Sequence, residues 1–284
     1  VNGRAAALLC GSLAIAGCGE SVRIDLFAPQ PTLEMPAVDA GPRDAGLAID
    51  VPDAQTLTEP GDASFTTSSL VLRYDFLGDG TMLKDRVGGA NARVRGGAQL
   101  DESGELSLDG YDDYVDLPNG TLASLESATV VAWLTWKGGV CWQRVFDFGH
   151  NDMGEDQQGN TVTSLFVTLA TCPEGRLAGM AELPTGQFVA AANATVTPSS
   201  TVQVALSFDA DSSLLTLYLD GVRVAETKAG FALAELSDDN AWLGRSQWVQ
   251  DYFAKVRYDE FRVYDRALSR SEVRTLYTRG ADRP

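Results

Sequence analysis

Apolar and polar residues alternate in short runs from Leu70 onward. LVLRYDF, ATVVAWLTW, RVFDF, SLFVTLAT, GQFVAAANATV, VQVALSF, LLTLYLDGVRVAE and DEFRVY carry this pattern, with turn residues between them. Period-two alternation sends successive side chains to opposite faces, so each run predicts a β-strand with one buried face. Residues 214–226 give the clearest pair, where Asp220-Gly221 suits a two-residue type I′ hairpin turn. No 3.6-residue period precedes residue 269. Many short strands without a helical period predict an all-β fold, a large antiparallel sandwich.

The closing phrase YDEFRVYDRALSRSEVRTLYTRG, residues 258–280, turns from strand to helix. Ser269 and Glu272 have the spacing of a capping box, and Leu268 and Val273 that of its hydrophobic staple. Leu276 and Tyr277 continue an apolar face, and Gly280 suits the stop. This helix is expected to plug one edge of the sandwich. In the preceding strand Asp259, Phe261 and Val263 share parity, which predicts a common, core-facing side. A carboxylate there needs a cation, an arginine or backbone N–H partners.

Residues 1–68 differ in kind. Arg4 precedes an apolar run over residues 5–16, then small residues and Cys18, the architecture of a signal peptide and too short to span a membrane. Ile15-Ala16-Gly17-Cys18 resembles a bacterial lipobox, which predicts lipidation of Cys18 and a place in the cell envelope, in the outer membrane, periplasm or cell surface. Residues 19–68 hold six of the 11 prolines, with nine acidic and two basic residues. Such a segment buries too little apolar surface to offset ordering, and predicts a disordered tether. The expected organisation is a signal peptide (1–18), a tether (19–68) and one domain (69–284).

Once Cys10 leaves with the signal and Cys18 takes lipid, Cys141 and Cys172 remain. In an exported chain they predict a disulfide, which stabilises by roughly 3–4 kcal/mol on the chain-entropy model. Two cysteines and one histidine are too few for a zinc site. The net charge of −17 disfavours nucleic acid and anionic lipid as partners and favours cations such as Ca²⁺, with the membrane reached only through the anchor.

Six segments then occur in a telling order: LVLRYDFLGDGTMLKDRVGGANARVRGGAQ, LSLDGYDDYVDLP, ATVVAWLTW, LYLDGVRVAE, LGRS and YDEFRVYDRALSRSEVRTLY. Together they resemble the laminin-G-like domains of the concanavalin-A-like lectin/glucanase fold over about residues 69–278, and WQRVFDFG resembles a further segment of its bacterial branch. The resemblance implies a jelly-roll of two curved antiparallel sheets and a binding or adhesion module, commonly directed at glycans. It also implies a structural calcium in some relatives. Here Asp259, Asp85 of the DRVGGAN loop and Asn91 are the expected ligands, completed by backbone carbonyls.

Other polar clusters have plainer readings. Asp112 and Asp113 are adjacent, so in a strand they point apart and do not cooperate. Asp209 and Asp211 suit a hairpin turn. His150 is expected as a solvated residue of the loop GHNDMGEDQQGN. No strand carries the alternating Glu-x-Asp-x-Glu pattern of glycosidases on this fold, so a binding protein is expected rather than an enzyme. A divergent glycoside hydrolase and a purely structural envelope protein are the alternatives. The binding candidates are loop aromatics: Trp142, then Trp248, Tyr252 and Phe253 in SQWVQDYFAK. Their flat faces suit sugar C–H stacking, with Gln143, Arg144 and Asp251 nearby to hydrogen-bond, or else they pack on the sandwich edge. The ligand expected is a glycan or an extracellular protein.

Overall fold

Strands form where the alternation predicts them. The computed structural model describes residues 69–281; the signal peptide, Cys18 and the tether expected before them lie outside the described residues. In chain order the first strands are β1 (Leu70–Tyr74), β2 (Met82–Leu83), β3 (Ala92–Arg95), β4 (Leu106–Asp109) and β5 (Tyr114–Asp116). Then come β6 (Ala128–Trp136), β7 (Arg144–Asn151), β8 (Thr161–Thr168), β9 (Ala178–Leu183) and β10 (Gly186–Ala191). The last are β11 (Thr201–Asp209), β12 (Leu214–Leu219), β13 (Val222–Lys228), β14 (Asn240–Leu243) and β15 (Lys255–Tyr264), followed by helix α1 (Arg270–Arg279).

The strands form two antiparallel sheets, a jelly-roll sandwich. The seven-stranded sheet runs β1-β15-β6-β11-β12-β13, with β4 also paired to β15. The eight-stranded sheet runs β10-β9-β8-β7-β14-β5-β3-β2. Between them lies one apolar core that includes Tyr74, Phe146, Phe148, Leu206, Tyr258 and Phe261. Fully burying an aliphatic or aromatic side chain contributes about 1.5–3 kcal/mol, so this layer dominates the stability. The β12–β13 hairpin has the predicted turn, with Asp220 at φ 51° and Gly221 at φ 73°. Glycine is also needed there for space, since a Cβ would lie 2.9 Å from Cβ of Tyr277.

All nine residues of β6 are buried, although a strand with one wet face would alternate. Val130, Ala132, Leu134 and Trp136 join the inter-sheet core. Val131 and Trp133 point the other way and pack with Val273 and Leu276 of α1. The helix therefore covers the outer face of the seven-stranded sheet rather than plugging an edge, because the apolar back of β6 needs a cover. Its cap is as expected. Ser269 Oγ accepts the Glu272 N–H, and Glu272 Oε2 accepts the Ser269 N–H at 2.8 Å. Arg266 forks onto both Glu272 oxygens, at 2.9 and 2.6 Å, and is the main reason that carboxyl is held down at about 2.

The parity expected for Asp259 fails. β15 pairs Tyr258 with Leu134 and Glu260 with Trp133, so Asp259 is the extra residue of a β-bulge. Tyr258, Phe261 and Val263 face the core, while Glu260, Arg262 and Tyr264 turn to the outer face. The buried carboxylate of this strand is thus Glu260, fully buried and bonded to Arg73 Nε and Arg262 Nε. Burial pushes its pKa up, and the two guanidinium groups pull it back.

Candidate functional site

On the outer face of the eight-stranded sheet, Phe166 of β8 and Met180 of β9 stand opposite one another in register. They form an apolar cluster with Ala178, separate from the core, with Trp142 packed against it. This is the floor of an open groove of about 400 Å³, within the size range of sugar and small-molecule sites. Trp142 and Trp248 line it, and Glu182, Gln187, Gln250 and Asp251 supply its polar groups.

The local sequence explains how each wall is held. Cys141 and Cys172 form the expected disulfide, with Cα atoms 5.6 Å apart, tying the entry of β7 to the loop after β8. Next to it Trp142 takes the left-handed conformation, φ 66°, and its N–H donates to the Ala170 carbonyl at 2.8 Å. Gln143 turns inward, accepting the Trp136 indole N–H at 3.1 Å and donating to the Phe253 carbonyl at 2.8 Å. It is a brace between loops and not the ligand group expected. On the other wall, Ser246 accepts the Trp248 N–H at 3.1 Å and donates to Asp251 Oδ2 at 2.9 Å, which closes that loop on itself.

Beneath the groove is a buried charge network. Arg144 donates from Nη2 to Asp251 Oδ2 at 2.7 Å and from Nη1 to the Trp142 carbonyl at 2.9 Å, and its Nε faces Asp147 Oδ2 at 3.4 Å. Its guanidinium lies 3.7 Å over the Phe166 ring, a cation–π contact. Asp147 also accepts from Ser164 Oγ and, at 3.0 Å, from the Gln247 N–H. Burial pushes the Asp147 carboxyl up to about 6, against the pull of Arg144. Burial raises Asp251 as well, and the nearby charge of Glu182 adds to the shift. Along the same face Arg245 is held between the rings of Trp242 and Tyr114, at 4.2 and 4.5 Å.

Four of the five residues expected from the sequence, Trp142, Arg144, Trp248 and Asp251, converge here. Tyr252 is 61% exposed and outside the lining, and Phe253 turns toward Tyr114, 6.1 Å away. Phe166, Met180, Glu182, Gln187 and Gln250 were not anticipated.

The family follows from the chain's middle and end. The model of the concanavalin A-like lectin/glucanases superfamily, in its laminin G form, matches residues 109–274. The chain belongs to this superfamily. Among curated proteins none matches it. Among solved structures it is similar to domain 4 of the extracellular GH43 arabinanase AbnA from Geobacillus stearothermophilus, in complex with arabinotriose. That match has TM-score 0.51 and 17% identity, over 73% of this chain and 97% of that one. It is also similar to the CBM40 of the Ruminococcus gnavus IT-sialidase bound to α2,3-sialyllactose. Here the TM-score is 0.51 and the identity 20%, over 60% and 95% of the two chains. A third is the binding domain of botulinum neurotoxin DC in complex with rat synaptotagmin II, with TM-score 0.57 and 12% identity, over 75% and 52%. At these identities the likeness is one of fold.

Each of the expected calcium ligands is engaged by the protein itself. Asp85 Oδ1 accepts the N–H groups of Arg73 and Val87, and Oδ2 those of Gly88 and Ala90. A carboxylate has about four lone-pair sites, so this one is filled by backbone. Asn91 Oδ1 accepts the Asp85 N–H at 3.0 Å. Asp259 lines a separate crevice with Glu105 and Trp133, 3.6 Å from Arg257 Nε, so its partner is an arginine.

Asp112 and Asp113 lie in a turn, not a strand, and with Asp109 their carboxylates come within 4.8 Å of one another. These three could hold a metal ion, although Asp113 already accepts the N–H groups of Gly97, Ala98 and Asp109. His150 is on β7 rather than in a loop, and its Nδ1 meets Asp239 at 2.9 Å. Asp209 shapes its turn as expected, accepting from the Asp211 N–H and Ser212 Oγ.

Proposed function

We propose that this protein is a carbohydrate-binding module, exported and held to the cell envelope by lipid on Cys18. The observation that carries the reading is the groove in which Trp142 and Trp248 line an apolar floor fringed by Glu182, Gln187, Gln250 and Asp251. Flat aromatic faces give a sugar ring's C–H groups a surface, and the amides and carboxylates give its hydroxyls partners. The arabinotriose and sialyllactose complexes of two fold neighbours support the same reading.

A glycan array probed with the purified chain tests it, followed by calorimetry on the best binder. Trp142→Ala and Trp248→Ala should each weaken binding roughly tenfold or more while the circular dichroism spectrum is kept. An array without a single hit would refute the proposal. Release of shorter sugars from the bound glycan would favour hydrolysis instead, with Glu182 and Asp251 as the two carboxyls brought to one groove. Labelling with a radioactive fatty acid, lost in Cys18→Ser, tests the anchor.

A further inference from the structure

We infer that the groove accepts uncharged glycans and discriminates against acidic ones, an inference that rests on the glycan-binding reading above. Arg144 is the cation of the lining, and its guanidinium is engaged by the protein. Its Nε, Nη1 and Nη2 face Asp147, the Trp142 carbonyl and Asp251, and its plane covers Phe166. Only 3% of its side chain meets solvent. Recognition of a sugar carboxylate by arginine needs a free fork of parallel N–H donors. Here Nε, Nη1 and Nη2 each already donate to a protein acceptor, and the side chain is buried.

The anionic groups are placed differently. Asp251 and Glu182 both line the groove, and each keeps acceptor capacity after its bonds to Arg144, Ser246 and Gln187. Asp147 lies under the floor. Two carboxyl groups, Asp147 and Asp251, therefore meet one guanidinium, and with Glu182 also on the lining the groove carries an excess of negative charge even with Asp147 set aside. Gln187 and Gln250 add amides, which donate to and accept from hydroxyls equally well. A ligand carboxylate would enter a field of its own sign and find the single cation already paired, whereas neutral hydroxyls meet partners of both kinds.

The test compares neutral arabino-, xylo-, gluco- and galacto-oligosaccharides with uronate-bearing or sialylated oligosaccharides of matched length, by calorimetry with the purified chain. At low salt the acidic member of each pair should bind about tenfold more weakly or worse. That gap should narrow as ionic strength rises and in Glu182→Gln, because screening and removal of the charge both weaken the repulsion. Equal or tighter binding of the acidic member would overturn the inference and leave the glycan-binding reading standing. No binding of either kind would take both away.

Discussion

Arg144 of β7 and Asp251 of the Trp248 loop are joined by a 2.7 Å ion pair, with 3% and 17% of their side chains exposed. The pair ties the floor of the groove to its wall, so it is expected to support both stability and binding. Arg144→Met would leave Asp147 and Asp251 without their cation, and breaking a buried pair from one side costs about 3–5 kcal/mol. Urea unfolding should show a loss in that range, with Asp251→Asn losing about 1 kcal/mol. A loss in Arg144→Met no larger than in Asp251→Asn would count against this network.

The bulge in β15 makes a contrast between neighbours. Glu260 is fully buried between Arg73 and Arg262, whereas Asp259 sits 18% exposed beside Arg257. Glu260→Gln is expected to cost about 2–4 kcal/mol and Asp259→Asn under about 1 kcal/mol. Thermal and urea unfolding of the two variants measures this directly. The reverse order would put the wrong carboxylate in the interior.

Asp147 gives the domain a pH signature. Its carboxyl rises from 3.8 to about 6 by burial, so the folded state holds the proton more tightly than the unfolded chain does. Protonation therefore favours folding. The contribution is fully present below about pH 4 and is lost as pH rises through about 6. Relative to Asp147→Asn, the wild-type chain should gain up to about 3 kcal/mol on going from neutral pH to about pH 4. Parallel stability curves for the two proteins over that window would refute the assignment.

Asp85 organises its loop by accepting four backbone N–H groups. Asp85→Ala leaves those donors without their partner and should destabilise by about 2–3 kcal/mol. The loss should be the same in calcium and in EDTA, as read by melting temperature. A loss that appears only with calcium present would return Asp85 to the role of metal ligand.

How far the site was legible depended on the kind of residue. Trp142, Arg144, Trp248 and Asp251 stood out as aromatic and charged residues in turn-rich segments, and they meet in the groove. Phe166 and Met180 did not. In SLFVTL three apolar residues follow one another, so nothing in the pattern says that Leu165 and Val167 enter the core while Phe166 faces outward. Glu182 and Asp251 were not legible as a pair because alternation relates carboxyls only within one strand, and these two come from β9 and a distant loop.

Asp259 failed for a different reason. Strand parity holds only while the ladder is regular, and one inserted residue moves every later side chain to the other face. Local chemistry was sufficient elsewhere: alternation for β1, β6, β7, β8, β10, β11, β12, β13 and β15, though not for the other strands, Asp220-Gly221 for the hairpin, Ser269 and Glu272 for the helix cap. Each depends on residues a few positions apart, whose backbone preferences act without the rest of the chain. The bulge, the helix's seat behind β6 and the convergence of the groove residues were decided by tertiary structure. They depend on which strands become neighbours, and strand order follows from burial of the whole core rather than from any one segment.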